Sequence, residues 1–246
     1  ANASQGTITV RGEFASLRAS GTLYVGPGGE ATVVSEDGGT IQAGALVIGA
    51  IDTEATVALG DMTVAGTGQF SEMPDLTVEA GLDVGNFGVG TLTLMNSATA
   101  SSQAGNIGVR ANGDGLITLN AAKWTTESGV QVGQRMFDEG FDAETAGAGT
   151  LELINGELSM GTLLLVGAEG RVEGTGMITA PFGIDVQGTI APGVDQTLSK
   201  ARDKRHGQKD LVAKQELPET SIGTLEFDGD LTFTGGSLII EVRGNG

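Results

Sequence analysis

GVGTLTLMNSATASSQAGNIGVRANGDGLITLNAAKWTTESGVQVGQ, residues 88–134, contains one pattern twice. In each copy an alternating strand entered through glycine is followed by small and polar residues, and then by a short apolar stretch ending in Gly or Val. Alternation at period two predicts β-strands with one buried face. The Asn-Ser, Asn-Gly and Asp-Gly pairs in such segments supply residues that tolerate the positive φ angles of tight turns.

The short apolar stretch and the glycine beside it recur along most of the chain. They fall at these positions: Gly26, Gly49, Gly85, Gly108, Gly133 and Gly167. Three of the five intervals between these glycines are similar in length. The two longer intervals, from Gly49 to Gly85 and from Gly133 to Gly167, leave room for insertions. Alternating strands such as GTLYV, GTLELINGE and GTLEFDGD fill the intervals.

The short period of this repeat restricts the fold. It is roughly 24 residues and contains two or three short strands with hardly any helix, whereas a propeller blade needs about 40 residues or more and a leucine-rich repeat would show an Asn ladder. The sequence therefore predicts an all-β protein, a parallel β-helix or solenoid, that forms a single domain over residues 1–246. Val, Leu and Ile would line its inside, and Thr and Glu would point outward. An antiparallel sandwich is the structural alternative.

The composition excludes several other classes of protein. The 42 glycines do not follow a Gly-X-Y triplet, which excludes collagen, and the 39% of apolar residues can form a core. A net charge of −18 repels phosphate backbones, so nucleic-acid binding is not expected. No apolar run approaches the roughly 20 residues of a membrane helix. The opening ANASQG is typical of a mature end left by processing, and an arbitrary boundary within a longer chain would look the same.

Residues 88–134 resemble the repeats of bacterial autotransporter passengers and related exported proteins. VQGTIAPG at 186–193 and SIGTLEFDGDLTFTGGSLIIEVRGNG at 221–246 resemble the closing phrase of that family, in which I-x-P-G runs almost directly into S-x-G-T-L. The resemblance covers most of residues 20–194 and 221–246. It implies a right-handed parallel β-helix on a secreted or cell-surface bacterial protein, and it implies no particular activity.

The same resemblance predicts a charged insertion at residues 195–220, because joining Gly193 to Ser221 restores the family phrase. The insertion holds six basic and five acidic residues. Its composition predicts a partly helical or flexible segment that ends at Pro218. Its basic residues are candidate contacts with another subunit or with a polyanion such as polysaccharide: Lys200, Arg202, Lys204, Arg205, Lys209 and Lys214. A second, acidic corner insertion is predicted at residues 134–148.

Groups that could perform catalysis are scarce in this sequence. There is no Cys, and the single histidine, His206, lies in the polar insertion without a partner motif. The acidic residues are scattered rather than paired as glycoside hydrolysis requires. We therefore expect no enzymatic activity and no cofactor. The oxygen-rich side chains of Asp138, Glu139, Asp142 and Glu144 leave Ca²⁺ as the open alternative.

Two kinds of binding face are not indicated. Trp124, Tyr24 and the eight Phe residues are dispersed, which predicts individual packing residues rather than a stacking platform. An ice-binding face would need Thr at one fixed place in every repeat, and the T-x-T pairs do not recur at one place along the sequence.

These observations predict a non-enzymatic structural protein of the bacterial cell surface or extracellular matrix. It would be a β-helical building block that self-associates into a fibre, sheath or layer, joined through its coil ends and through the 195–220 insertion. ITV at 8–10 and SLIIEV at 237–242 are the candidate edge strands at those ends. The alternative is an adhesin or carbohydrate-binding passenger domain that acts as a monomeric arm.

Overall fold

The computed structural model describes residues 5–27, 30–49, 54–59, 75–108, 110, 113–133, 147–193 and 223–239. In these ranges the chain forms strands and no helix, and thus no helix long and apolar enough to cross a membrane. The strands are β1 (Gln5–Arg11), β2 (Ser16–Val25), β3 (Glu30–Glu36), β4 (Thr40–Ile48), β5 (Glu54–Leu59), β6 (Asp75–Val78), β7 (Gly81–Val84), β8 (Val89–Met95), β9 (Thr99–Ser102), β10 (Ala104–Ile107), β11 (Asp114–Asn120), β12 (Lys123–Thr126), β13 (Val130–Val132), β14 (Ala148–Met160), β15 (Leu164–Val166), β16 (Gly170–Thr179), β17 (Ile184–Val186), β18 (Thr189–Pro192), β19 (Leu225–Asp228), β20 (Leu231–Phe233) and β21 (Ser237–Leu238).

The strands form one largely parallel, nearly closed sheet made of three ladders. Ladder 1 consists of β1, β3, β5, β8, β11, the first half of β14, the first half of β16, β18 and β21. Ladder 2 consists of the first halves of β2 and β4, then β6, β9, β12, the second halves of β14 and β16, and β19. Ladder 3 consists of the second halves of β2 and β4, then β7, β10, β13, β15, β17 and β20.

All pairings between the described strands are parallel. The long strands β2, β4, β14 and β16 each belong to two ladders and join them into a single sheet. The predicted all-β class is therefore confirmed. The antiparallel sandwich is excluded by the parallel pairing.

The chain visits the three ladders in turn, and one passage through all three is a circuit. One column of paired residues in ladder 1 shows that the circuits differ in length. Along ladder 1 the successive partners are Ile8, Val33, Val57, Leu92, Ile117, Leu151, Val172, Ile190 and Leu238. The three longest circuits, which begin at Val57, Ile117 and Ile190, each contain residues outside the described ranges. These include most of the predicted insertions at 134–148 and 195–220; only 147 and 148 are described, and β14 begins at Ala148.

The core consists of apolar side chains stacked in register. In ladder 1, Leu92, Ile117, Leu151, Val172 and Ile190 occupy consecutive paired positions, and each has 0% exposure. Removing a side chain of this size from water contributes about 1.5–3 kcal/mol, so the stacked columns are the main source of stability. The prediction that Val, Leu and Ile line the inside of the fold is thereby confirmed.

The middle of ladder 1, from β8 to β16, is largely buried on both sides. The Thr and Glu residues of these strands lie on the side opposite the core, as predicted, but that side is covered. Thr91, Thr93, Thr150, Glu152 and Glu173 alternate with the core residues, yet all are buried. Sequence alternation reports which face a side chain occupies, and it carries no information on whether that face is covered. Buried polar groups need hydrogen-bond partners.

Local partners for two of the buried acids lie on the same face. The Thr118 hydroxyl donates to Glu152 Oε2 at 3.0 Å. Arg171 forms an ion pair with Glu173, which is 1% exposed. Glu152 and Glu173 are themselves paired in register on β14 and β16. Charge-assisted contacts of this kind offset the desolvation of the two carboxylates.

The recurrent glycines stack at one turn of successive circuits. In each of five cases the glycine N–H donates to the carbonyl that precedes the corresponding glycine one circuit earlier, with distances of 2.8–3.1 Å for Gly49, Gly85, Gly108, Gly133 and Gly167. The φ angles of Gly26, Gly49, Gly85, Gly108 and Gly133 lie between 56° and 71°. Left-handed backbone of this kind favours glycine. The predicted glycine turns are confirmed.

Asn and Asp occupy a second turn, as the sequence pattern predicts. Asp37, Asn96 and Asn155 have φ angles of 54°, 53° and 53° and lie where the chain leaves ladder 1 for ladder 2. Short polar side chains tolerate this conformation because they hydrogen-bond the local backbone.

Candidate functional site

The six basic residues predicted as contacts lie outside the described residues. They are Lys200, Arg202, Lys204, Arg205, Lys209 and Lys214. The strands on either side of them are described: β18 pairs with the first half of β16 and β19 pairs with its second half. The chain therefore returns to the sheet beside the point at which it leaves, as an insertion between neighbouring strands requires. The insertion at 195–220 itself stays a prediction.

The candidate calcium ligands also lie outside the described residues, namely Asp138, Glu139, Asp142 and Glu144. In the described part of the chain, no group of three or more His, Cys, Asp or Glu side chains could hold a metal ion. The only histidine, His206, is not among the described residues either.

Exposed large apolar side chains occur only toward the two ends of the ladders, as far as the chain is described. Three belong to the first circuit: Ile8, Phe14 and Tyr24. Six belong to the last circuits: Met177, Phe182, Leu231, Phe233, Leu238 and Ile239. None lies in the described residues between 26 and 176. Exposed apolar groups gathered in one place mark interaction surfaces more often than scattered ones do.

The dispersed aromatic residues were predicted to pack individually in the fold, and Trp124 does so. Trp124 is 0% exposed, and its indole N–H donates to Ser102 Oγ at 3.1 Å. Tyr24 is 56% exposed and Phe14 is 96% exposed. The prediction is wrong for Tyr24 and Phe14. Tyr24 is in the outward column of ladder 3, where it pairs with Val47, and Phe14 lies in the turn between β1 and β2.

The C-terminal edge, defined as β19, β20 and β21, exposes residues at core positions. Leu231 pairs with Ile184, which is 1% exposed, whereas Leu231 itself is 38% exposed. Leu238 pairs with Ile190, and the exposure rises from 0% to 48% across that single step. The reason is that β20 and β21 each have a described partner strand on one side alone.

The N-terminal edge, defined as β1 and β2, is also unpaired on one side among the described strands. Ile8 is 44% exposed, and its partner Val33 is 2% exposed. The two predicted edge strands, residues 8–10 and the described start of 237–242, thus lie at edges of the sheet. An unpaired edge offers N–H and C=O groups to a further strand.

The two edges differ in charge. Residues 223–239 of the C-terminal edge carry the exposed acids Glu226, Asp228 and Asp230 and no basic residue. The strands of the N-terminal edge contain two arginines and no acid, and the turn between them holds the exposed Glu13. Arg11 pairs with Glu36 at 2.5 Å, and Arg18 is exposed with no ion pair to a described residue. The acidic group and the exposed Arg18 therefore lie at opposite edges of the sheet.

A column of hydroxyl groups runs along the outer side of ladder 2. The register aligns Thr77, Ser101, Thr125, Ser159 and Thr179 on five neighbouring strands. Neighbouring strands lie about 4.8 Å apart, so the column spans about 19 Å. The column alternates Thr with Ser, so it is not the regular Thr ladder that an ice-binding face would need. Unequal circuit lengths hide the alignment in the sequence.

The neighbouring outer column of ladder 2 is polar as well. The Thr99 hydroxyl donates to Asp75 Oδ1 at 2.7 Å, and Lys123 Nζ lies 2.6 Å from Glu157 Oε1. This column is internally hydrogen-bonded, whereas most side chains of the hydroxyl column make no hydrogen bond to another described side chain. The hydroxyl column is thus the part of this face that is most open to an external ligand.

These features define an all-β protein with a largely parallel sheet, whose exposed apolar side chains and opposite charges lie at its two ends. Comparisons with protein-family models, with curated proteins and with solved structures found no match.

Proposed function

We propose that this chain is a right-handed parallel β-helix, similar to the passengers of bacterial autotransporters, and a non-enzymatic building block of a cell surface or extracellular matrix. Copies associate into a fibre, sheath or layer. The solenoid is supported by the order in which the chain visits its three parallel ladders, circuit after circuit. The export and the surface location are supported by the resemblance of residues 88–134 and 221–246 to that family.

One observation carries the building-block function: the exposed large apolar side chains gather at the two edges. Ile8, Leu231, Phe233 and Leu238 are 38–48% exposed at positions whose counterparts one strand inward are at most 2% exposed. Covering the exposed part of each contributes on the order of 1 kcal/mol. A further strand would also satisfy the unpaired backbone groups of each edge.

The test of this function is the state of the full chain in solution. We expect light scattering to show mass that grows with protein concentration, and electron micrographs to show filaments or sheets. The measurement is made with and without Ca²⁺, because residues 138–144 lie in the predicted acidic insertion. A chain that stays monomeric at high concentration under both conditions contradicts the proposal.

The hydroxyl column of ladder 2 favours a second candidate function, a carbohydrate-binding or adhesive arm. Hydroxyl groups donate and accept hydrogen bonds, and sugar chains present hydroxyls at regular spacing. The check is a glycan array with the full chain. Binding that is lost in Thr125→Val with Ser159→Ala and kept in a Thr232→Val control on ladder 3 supports this candidate. An array without hits eliminates it.

A further inference from the structure

We propose that copies of this chain join head to tail, with the C-terminal edge of one copy (β19, β20 and β21) against the N-terminal edge of the next (β1 and β2). This inference rests on the proposed building-block function and adds the partner and the polarity of the joint. The occupant of each edge is the opposite edge of a second copy.

Charge distinguishes the three ways in which two copies could meet. A joint between two N-terminal edges brings Arg18 of each copy together. A joint between two C-terminal edges brings together two sets of Glu226, Asp228 and Asp230, all exposed. Only the head-to-tail joint places the exposed Arg18 against these acids. Like charges brought together at an interface disfavour the wrong partner, and complementary charges speed the right encounter.

The exposed apolar groups and the unpaired backbone groups of the two edges also favour the head-to-tail joint. The C-terminal edge presents Leu231, Phe233 and Leu238, and the N-terminal edge presents Ile8. All described pairings in the sheet are parallel, and a head-to-tail joint continues that parallel pairing, with unpaired N–H and C=O groups on both sides. The joint therefore satisfies the same groups that each interior strand satisfies through its neighbours.

The two edges cannot meet within one copy. Ladder 1 runs through nine strands from Ile8 to Leu238, and eight steps of about 4.8 Å separate its ends by about 38 Å. Contact between opposite edges must therefore be intermolecular. A contact between two different surfaces is heterologous, and it generates an open chain of subunits when the rotation does not close a ring. The expected assembly is a polar filament.

The experiment uses two variants of the full chain, each with one blocked edge. The first carries Ile8→Glu and Arg18→Glu at the N-terminal edge. The second carries Phe233→Asp and Leu238→Asp at the C-terminal edge. Analytical ultracentrifugation gives the mass of each variant alone and of a 1:1 mixture. Far-UV circular dichroism and the fluorescence of the buried Trp124 verify that both variants are folded.

A head-to-tail joint predicts that each variant alone is monomeric and that the mixture forms a dimer and nothing larger, because one intact pair of edges remains. A Gln131→Glu control, which adds a charge to the outer side of the middle of ladder 3, is expected to assemble like the wild type. A second part of the experiment reverses the charges of both edges in one chain. This variant carries Arg18→Glu, Glu226→Lys, Asp228→Lys and Asp230→Lys. Arg18→Glu alone is expected to raise the critical concentration about tenfold, and we expect the charge-reversed variant to restore assembly.

The outcomes separate the two proposals. If the wild type assembles while either variant alone forms dimers, then like edges meet, and the head-to-tail joint is wrong although the building-block function stands. If each variant alone assembles as the wild type does, the edges are not the joint. If both variants are monomeric and their mixture is monomeric too, the joint is not head to tail. If the wild type is monomeric, another occupant covers the edges, and both proposals fail.

Discussion

Gly49 provides a sharp test of the stacked glycine turns. Its φ angle is +71°, a left-handed conformation that costs an L-residue about 1–2 kcal/mol. A Cβ atom at this position would lie 2.5 Å from the carbonyl oxygen of Val89, 2.7 Å from its carbonyl carbon and 2.9 Å from the amide nitrogen of Gly90. All three atoms are backbone of the next circuit, so no flexible side chain can move aside.

The expected cost of Gly49→Ala follows from these terms. The left-handed backbone contributes about 1–2 kcal/mol, and forcing the turn and β8 apart contributes about 1–3 kcal/mol. The lower entropy of the unfolded alanine chain offsets about 0.4–1 kcal/mol of this. The net loss in the free energy of unfolding is about 1–4.6 kcal/mol, which for a chain of this length corresponds to a decrease in Tm of about 2–18 °C.

Gly81→Ala is the matched control. A Cβ atom at Gly81 would meet only Asp83 Oδ1, at 3.9 Å, and its φ angle is not in the left-handed region. We expect this variant to keep the wild-type stability or to gain up to about 1 kcal/mol. Both variants are measured by denaturant unfolding, with the fluorescence of Trp124, the only tryptophan, as the probe.

Two results would show that the glycine argument is mistaken. One is a Gly49→Ala variant within about 0.5 kcal/mol of the wild type, because the steric and conformational costs would then be absent. The other is an equal loss in Gly81→Ala, since the effect would then follow from any glycine substitution in a strand or turn. The m-value must also stay constant for the comparison to report stability.

Three further predictions concern packing, charge and assembly. Ser102→Ala removes the acceptor of the Trp124 N–H and should cost about 1–3 kcal/mol by denaturant unfolding, with a shifted emission maximum; unchanged emission contradicts the hydrogen bond. Glu173→Gln, beside Arg171, should lower the free energy of unfolding by about 1.5–3 kcal/mol. The half-exposed Glu157→Gln should lower it clearly less, because ion pairs open to solvent contribute little, and equal losses would contradict the difference in burial. Deletion of 196–219 should leave the circular dichroism spectrum unchanged and reduce assembly in light scattering; a loss of folding contradicts it.

Much of the fold could be predicted because its determinants are local. The alternation in β8, β11 and β14 predicts strands with an apolar face, and Leu92, Ile117 and Leu151 do lie in the core. The glycine that follows each apolar phrase predicts a turn, because few other residues adopt its φ angle without strain. These signals involve residues within a few positions of one another, so a single sequence contains them.

The surfaces could be predicted only in part. The sequence pattern predicts the edge strand at residues 8–10. It does not predict the exposure of Phe14, because an aromatic residue is more often a packing residue. The column from Thr77 to Thr179 was missed altogether. Its members are unevenly spaced along the chain, since the step from Thr125 to Ser159 is much longer than the step from Ser101 to Thr125, so no fixed period reveals them.

The amino-acid pattern alone established the strands, the glycine turns and the apolar side of each strand, since these depend on backbone sterics and on a period of two. The tertiary structure decided which strands are neighbours. It placed Glu152 and Glu173 side by side in buried positions, and it aligned the hydroxyl groups on ladder 2. It also left Leu231 and Leu238 exposed at core positions. The physical reason is that parallel register joins residues far apart in the sequence, and exposure depends on whether a further strand follows.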